Sequence, residues 1–321
     1  MDEHIDRSPI TRFAVVGSGS WGTAIASMIA PRVPTILWSR RSEVAREITT
    51  SHTNESYLPG VALSRDLDAT DDLGEAVAGA EAIVIGVPSH GLRDVVAGAA
   101  DSIDRGTPIL SLSKGIEQGT LMRMTEVIAD VLPDHDRTRI GALTGPNLAR
   151  EIAAGQPAAT VIAVEDGETA RNLQSAFMNP TFRVYTNPDV VGSEVAGAVK
   201  NVMAIAAGMA AGKGFGDNTL ATLITRALVE MTRLGVAMGG DVRTFSGLAG
   251  LGDLVATCNS TQSRNHQVGF ALGRGEPIDA IVARMNMVAE GVKSTSGVLA
   301  LADRYGVEMP IAAQVGHVLY D

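Results

Sequence analysis

Lys200 is the residue whose surroundings most invite chemistry. It lies in Val190 to Gly212, VVGSEVAGAVKNVMAIAAGMAAG, a run of mostly small and apolar side chains. At helical spacing one face of that run carries Ser193, Gly197, Lys200, Ala204, Gly208 and Ala211. The face has little bulk, so another group can come close to it, and the ammonium stands alone above it. Such a lysine either snorkels to the surface or is held, partly desolvated, for proton transfer. Near the chain start, Gly17, Gly19 and Gly22 have the G-x-G-x-x-G spacing between an apolar run and a helical one. This suits a dinucleotide: Gly17 allows the tight turn, Gly19 lets backbone amides near a pyrophosphate, and Gly22 packs helix on strand. The helix N-terminus then faces the phosphates with unpaired N–H groups. An ordinary glycine turn is the alternative.

Those residues need elements to hold them. Short apolar runs predict strands at Phe13–Val16, Thr35–Trp38, Ala82–Val87, Pro108–Leu112, Ile140–Leu143, Ala159–Val164 and Phe182–Tyr185. Helical patterns lie between them: up to Pro31, at Asp72–Ala78, Leu92–Ile103, Leu121–Leu132 and Glu168–Phe177. Apolar strands alternating with helices predict an α/β fold, a Rossmann-type doubly wound, mostly parallel sheet. Ligands bind such sheets beyond the carboxyl ends of the strands. The segments Pro88-Ser89-His90, Ser113-Lys114-Gly115 and Gly145-Pro146-Asn147 all fall there, so they are expected to converge on one cleft. Lys114 is a candidate for the anionic end of a substrate, or else a surface-loop lysine. The second strand ends at Ser39-Arg40-Arg41, with no carboxylate to hold a ribose hydroxyl. Two arginines suit a 2′-phosphate, or are solvated loop residues.

Asn187-Pro188 marks a turn and divides the chain into 1–188, with 1–11 a flexible lead-in, and 189–321. The second part is expected to be all-helical. Asp217 or Asn218 is placed to cap a helix from Thr219 to about Met238, and a last helix runs through Ser296 to Tyr305. Gly250-Leu251-Gly252-Asp253 and Ser263-Arg264-Asn265 read as polar loops that carry a site, or as a turn and a cap. Glu290 is the conspicuous acid of the Val288-Ala289-Glu290-Gly291 turn.

The 321 residues carry a formal net charge of -10, which disfavours nucleic acid or an anionic membrane as the main partner. One cysteine, Cys258, excludes an intrachain disulfide and fits a reducing compartment. The six histidines are scattered, so no metal site is expected. Val190–Gly212 is long enough to span a membrane, but Glu194, Lys200 and Asn201 argue for a helix buried in a soluble protein. The opening MDEHIDRSPITR lacks the basic start and apolar core of a signal peptide.

Taken together, the segments VVGSGSWGTAIA, HTNESYLPG, SLSKGIE, TGPNLARE, AVKNVMAIAAG, GDNTLATLITRALVEM, SGLAGLGDLVATCNSTQSRN and VAEGVKST are distributed over nearly the whole chain. In them the chain resembles the bacterial NAD(P)-dependent glycerol-3-phosphate dehydrogenases. The resemblance implies a Rossmann domain followed by an all-helical one, usually in a cytoplasmic homodimer. It implies interconversion of glycerone phosphate and sn-glycerol 3-phosphate, for phospholipid synthesis. It assigns Lys200 as proton donor and acceptor. Lys114, Gly145, Asn147, Asp253, Ser263, Arg264 and Asn265 match substrate-contacting positions. Ser20, Trp21, Arg40, Lys114, Ala149, Arg264, Val288 and Glu290 match positions contacting NAD or NADP. Arg41 joins that set on charge and place alone. The chain departs from the family at Asn147-Leu148, where Ser or Thr followed by Phe is common, and this leaves the contact at Asn147 open.

Hydride addition to a ketone builds charge on oxygen, so an acid is needed. Lys200 can polarise the carbonyl and give the proton, with Asp253 and Asn201 as partners that hold it. Arg264, Asn265 and the Ser263 hydroxyl can meet a phosphate. The small-residue face is expected to leave room for a three-carbon substrate. Two other readings compete. One is a reductase of the same build acting on a small hydroxy acid or phosphogluconate; the other is a nicotinamide-nucleotide sensor without turnover. The paired arginines predict that NADPH is accepted at least as well as NADH.

Overall fold

The computed structural model describes residues 10–285 and 289–320. Its first part holds eight strands: β1 (Phe13–Val16), β2 (Thr35–Trp38), β3 (Leu67–Thr70), β4 (Ala82–Ile85), β5 (Ile109–Ser111), β6 (Ile140–Thr144), β7 (Ala158–Ala163) and β8 (Phe182–Asn187). Between them run α1 (Ser20–Ile29), α2 (Ser42–Ser51), α3 (Leu73–Val77), α4 (Leu92–Ala99), α5 (Met124–Val131), α6 (Ala149–Ala153) and α7 (Gly167–Phe177). The strands form one sheet in the order β3-β2-β1-β4-β5-β6-β7-β8. Pairing is parallel except between β6 and β7, where Leu143 lies opposite Ile162 in an antiparallel ladder. Strand alternation explains the two layers of core. Phe13 and Val15 of β1 face one side with Ile25, Leu37 and Phe177, while Ala14 and Val16 face the other with Ile83, Ile109 and Ile128. Burying one such large apolar side chain stabilises the fold by roughly 1.5–3 kcal/mol.

After β8 the described chain is helical: α8 (Val190–Gly212), α9 (Asp217–Ala237), α10 (Val242–Phe245), α11 (Asp253–Asn259), α12 (Arg264–Gly273), α13 (Ile278–Ala283), α14 (Glu290–Arg304) and α15 (Pro310–Tyr320). Asp189 caps α8, its side chain accepting from the Gly192 amide at 2.8 Å. α8 is long and apolar enough to cross a membrane, yet 89 % of its most apolar window is buried. It is the core of the helical part, packed by Met231, Leu234, Phe245, Leu254, Val298 and Val315 from five other helices and the turns between them.

Several local readings need correction. β3 and α2 were not anticipated: LDAT has one bulky apolar residue, and SEVAREITTS has a mostly polar surface. Helix α5 begins at Met124 rather than Leu121. Leu121 sits in the left-handed region at φ 62°, inside a tight turn closed by the Glu117 amide on the Met122 carbonyl. Gly216, not Asp217 or Asn218, caps α9, and Asp217 lies within its first turn. The last stretch forms two helices, with α14 opening at Glu290 and α15 beginning at Pro310, which suits a first helical position. At the other end, residues 1–9 of the lead-in lie outside the described residues, while Thr11 donates from its amide and hydroxyl to Glu81.

Candidate active site

The turn from β1 into α1 is built around missing side chains. Gly17 has φ +118°, and a Cβ there would stand 2.8 Å from the Gly86 carbonyl oxygen. A Cβ on Gly22 would overlap the Gly17 carbonyl. Gly19 is different: its added Cβ would make only an ordinary contact, 3.9 Å from the Gly86 carbonyl oxygen, so no protein atom forbids a side chain there. Gly19 is also the N-cap of α1 and offers no side chain to the first-turn amides. The loop is fixed from behind by Asn54, whose amide donates to the Ser18 carbonyl and the Thr23 hydroxyl, both at 2.9 Å. Ser20 donates to the Tyr57 carbonyl at 2.5 Å. The Tyr57 ring lies under the Arg41 guanidinium at 5.0 Å, in cation–π contact. Arg41 Nη2 is buried without a hydrogen-bond partner, and its Nε is 3.6 Å from Glu43. Arg40 beside it is exposed, Trp21 is half-buried, and Ala149 opens α6 against the same core. A bare Gly19, an uncapped helix start and an unmatched guanidinium N–H group fit a dinucleotide phosphate.

Beyond the carboxyl ends of β5 and β6, two lysines share one acid. Lys200 Nζ donates to Asp253 Oδ1 at 2.5 Å and to Thr257 Oγ1 at 2.7 Å. Lys114 Nζ donates to Asp253 Oδ2 at 2.6 Å and reaches the Gly145 carbonyl at 3.4 Å. Lys200 is 7 % exposed and Asp253 2 %. The acid arrives there because Leu248–Gly252 makes a widened, π-type turn just before α11. Thr257 lies one turn further on the same face as Asp253, and its hydroxyl donates to the Asp253 carbonyl at 2.6 Å. With both lysines charged the trio carries net positive charge, which favours an anion. Burial draws the Lys200 ammonium down to about 8; Asp253 opposes this and the Lys114 charge adds to it. Burial alone would push the Asp253 carboxyl up, but Lys114 and Lys200 hold it below its ordinary value.

The structure thus brings Lys114, Gly145, Lys200 and Asp253 together, and it reassigns several neighbours. The ammonium of Lys200 does not stand alone. Asn201 does not hold it either: its Nδ2 donates to the Lys114 carbonyl at 3.1 Å and its Oδ1 accepts from Asn265 at 3.0 Å. Asn265 Oδ1 in turn accepts from the Gly291 amide at 2.9 Å, so its amide ties α8 and α12 to α14. Ser263 caps α12 by accepting from the His266 amide, which leaves its own O–H to donate. Arg264 opens α12 and is exposed; surrounding protein lowers its guanidinium pKa while the charge of Glu290 opposes that. Asn147 Nδ2 donates to Thr160 Oγ1 at 2.9 Å, and its Oδ1 is buried without a partner. Glu290 accepts from Ser89 across the cleft. Val288 lies outside the described residues. The small face of α8 is filled by protein: Gly208 and Gly212 meet the backbone of α12, and Gly197 meets Lys114 and Thr144. Among the described residues no group of three or more His, Cys, Asp or Glu is placed to hold a metal ion. Sequence reasoning gave no role to Thr257, Ser89 or Asn54. Thr257 had a readable signal in its four-residue spacing from Asp253, Ser89 in its place at a strand end expected to face the cleft, and Asn54 in the segment HTNESYLPG.

The family models for the N-terminus and the C-terminus of NAD-dependent glycerol-3-phosphate dehydrogenase match residues 12–170 and 189–321. The chain belongs to that family. It is 54 % identical over 304 residues to an NAD(P)+ glycerol-3-phosphate dehydrogenase of Sphingopyxis alaskensis, covering 95 % of this chain and 90 % of the relative. It is 53 % identical over 315 residues to one of Thermobifida fusca, covering 97 % and 93 %. The crystal structure of glycerol-3-phosphate dehydrogenase from Coxiella burnetii superposes with a TM-score of 0.91 at 38 % identity, over 97 % of this chain and 94 % of that one. The hydroxy-acid reductase and sensor readings give way to this match.

Proposed function

We propose that this chain reduces glycerone phosphate to sn-glycerol 3-phosphate with NAD(P)H, Lys200 giving the proton. The observation that carries the reading is the buried Lys200 ammonium, held by Asp253 and Thr257 beside a second cation, Lys114. The bound dinucleotide supplies the hydride. The protein's part is electrostatic and acid–base. As charge grows on the substrate oxygen, the Lys200 ammonium stabilises it and transfers its proton. Asp253 aims both ammoniums and opposes the loss of the Lys200 proton. Lys114, Gly145, Asn147, Ser263, Arg264 and Asn265 line the substrate, with Arg264 and the free O–H of Ser263 toward the phosphate. Gly17, Gly19, Ser20, Trp21, Gly22, Arg40, Arg41, Ala149, Val288 and Glu290 belong to the cofactor side. The reading includes a division at 188/189, a homodimer, a cytoplasmic location and a role in glycerophospholipid synthesis. The test follows absorbance of NADH and of NADPH in parallel. Oxidation on adding glycerone phosphate, with none on adding dihydroxyacetone, is the expected result; no oxidation with either cofactor overturns it.

The proton donor sets a pH dependence. Reduction needs protonated Lys200, whose folded-state pKa is about 8. The protonated share falls about ten-fold per pH unit above the pKa. So kcat/KM for reduction is expected to be level below about pH 8 and to fall above it, while the reverse oxidation rises through the same range. A pH–rate profile in both directions checks this, and a reduction rate still rising at pH 9–10 (roughly one to two units above that pKa) contradicts it.

Cofactor choice rests on Arg40 and Arg41. The strand end Ser39-Arg40-Arg41 carries no carboxylate, the next acid being Glu43 at 3.6 Å from Arg41 Nε, and the Arg41 guanidinium is steadied on Tyr57. NADPH is expected to serve at least as well as NADH, with the preference weakening as salt rises. Replacing both arginines with Gln is expected to lower kcat/KM for NADPH more than for NADH; equal losses remove them from 2′ recognition.

A further inference from the structure

The β4–α4 turn and the start of α14 are 201 residues apart in sequence, yet they meet through one carboxylate. Glu290, in the first turn of α14, takes the Ser89 backbone amide on Oε1 at 3.1 Å and the Ser89 hydroxyl on Oε2 at 2.5 Å. Two donors from one residue, one to each oxygen, fix the carboxylate plane as well as its place. Ser89 is itself buried, following Pro88 beyond the carboxyl end of β4. The bare Cα of Gly115 leaves it room: a Cβ there would stand 2.7 Å from the Ser89 oxygen and 3.1 Å from that of Ser294. Ser294 lies one turn beyond Glu290, and its buried hydroxyl has no protein partner. So the β4 turn, the Lys114 loop and α14 converge on a polar spot that the protein itself does not complete. The carboxylate also reaches electrically to Arg264 at the start of α12.

We propose that Ser89 is a positioning residue for the dinucleotide, setting Glu290 across the cleft from the glycine turn so that the helical part contributes to cofactor affinity. The inference rests on the reading of Glu290 as a cofactor-side residue. Ser89 touches neither substrate nor the reacting atoms; it acts by holding an acid that otherwise has several rotamers. Its removal therefore alters cofactor binding more than the chemical step.

The experiment titrates the full chain with NADH and with NADPH, following nicotinamide fluorescence without substrate, for Ser89→Ala, Ser89→Cys, Glu290→Gln and Ser89→Ala/Glu290→Gln. Loss of a hydrogen bond to a charged group predicts a Kd about ten-fold higher for Ser89→Ala. Ser89→Cys keeps a side chain of the same shape with a slightly larger and weaker donor, and moves the same way, which covers an alanine variant that fails to fold. KM for the cofactor is expected to rise while kcat at saturation and KM for glycerone phosphate stay within about two-fold. The double variant is expected to bind no more weakly than Glu290→Gln alone, because the two residues act as one unit. Wild-type affinity in both Ser89 variants with weakened Glu290→Gln overturns the positioning role and leaves that of Glu290 standing. Additive losses overturn the route through Glu290. Wild-type affinity in Glu290→Gln removes the underlying reading, and the proposal with it.

Discussion

Lys200→Ala is expected to lower kcat for glycerone phosphate reduction by roughly 10²–10⁴-fold, the usual contribution of a general acid. The fold is expected to survive, and the reason lies in charge counting. Lys200 and Lys114 share the Asp253 carboxylate at 2.5 and 2.6 Å. Removing Lys200 leaves Lys114 and Asp253 as a balanced pair, so no buried charge is stranded. The glycine turn proposed for the dinucleotide is held by Asn54, Gly17 and Gly22, none of which hydrogen-bonds to Lys200. Titration with NADH is therefore expected to give a near-wild-type Kd. Steady-state kinetics, thermal melting and this titration on one preparation check the whole expectation. A kcat within a few-fold of wild type would take Lys200 out of the mechanism.

Asp253→Asn is expected to do the opposite to the balance. It leaves two ammoniums facing each other in a buried site with a neutral amide between them. Breaking a buried ion pair by removing one partner costs about 3–5 kcal/mol. Lys200, already drawn down to about 8 by burial, then loses its proton more readily. The sign of the pH effect follows from proton counts. The folded variant binds fewer protons at Lys200 than the unfolded chain does. Its stability therefore rises with pH until the unfolded lysine also titrates, near 10.4. The melting deficit against wild type is expected to be largest on the acid side, where Lys200 is protonated in both proteins, and to shrink as pH rises toward about 8, where wild type also gives up that proton. At pH 7 kcat for reduction is expected to drop on the order of 10²-fold or more, because the acid form of Lys200 is scarce. A deficit that does not change with pH, together with wild-type kcat, contradicts this account.

Legibility from sequence followed the range of each interaction. The glycine turn was readable because Gly17, Gly19 and Gly22 act within one strand-turn-helix unit. Lys200 drew notice through its own helix, and the resemblance supplied Asp253. Nothing local joins residues 53 positions apart, or Ser89 to Glu290 across 201. The direction of β7 was also hidden, since an apolar hexapeptide reads the same in a parallel or antiparallel ladder. The small face of α8, which reads as room for a substrate, is instead filled by α12, Lys114 and Thr144. A stripe of Gly and Ala records that something approaches closely, but the pattern is the same for a ligand and for a helix. Asn201 and Asn265 were likewise picked out as polar residues at the right place. Their amides turned out to join helices, because each has a backbone group to satisfy nearby.

The crossing of α8 and α12 is made by backbone on backbone. Gly208 and Gly212 of one helix meet His266, Gly269 and Phe270 of the other, and Gly269 and Gly273 meet Ile205 and Met209 in return. A joint without intervening side chains has no rotamers to relax, so the two helices cannot slide or roll against one another. Lys200 is borne by the first helix, and Arg264 opens the second. On the proposed roles of the two residues, their spacing is thereby a built-in gauge, with the carbonyl end of a substrate at one jaw and its phosphate at the other. On that reading, the length of molecule that fits is set at a joint of four glycines, Gly208, Gly212, Gly269 and Gly273.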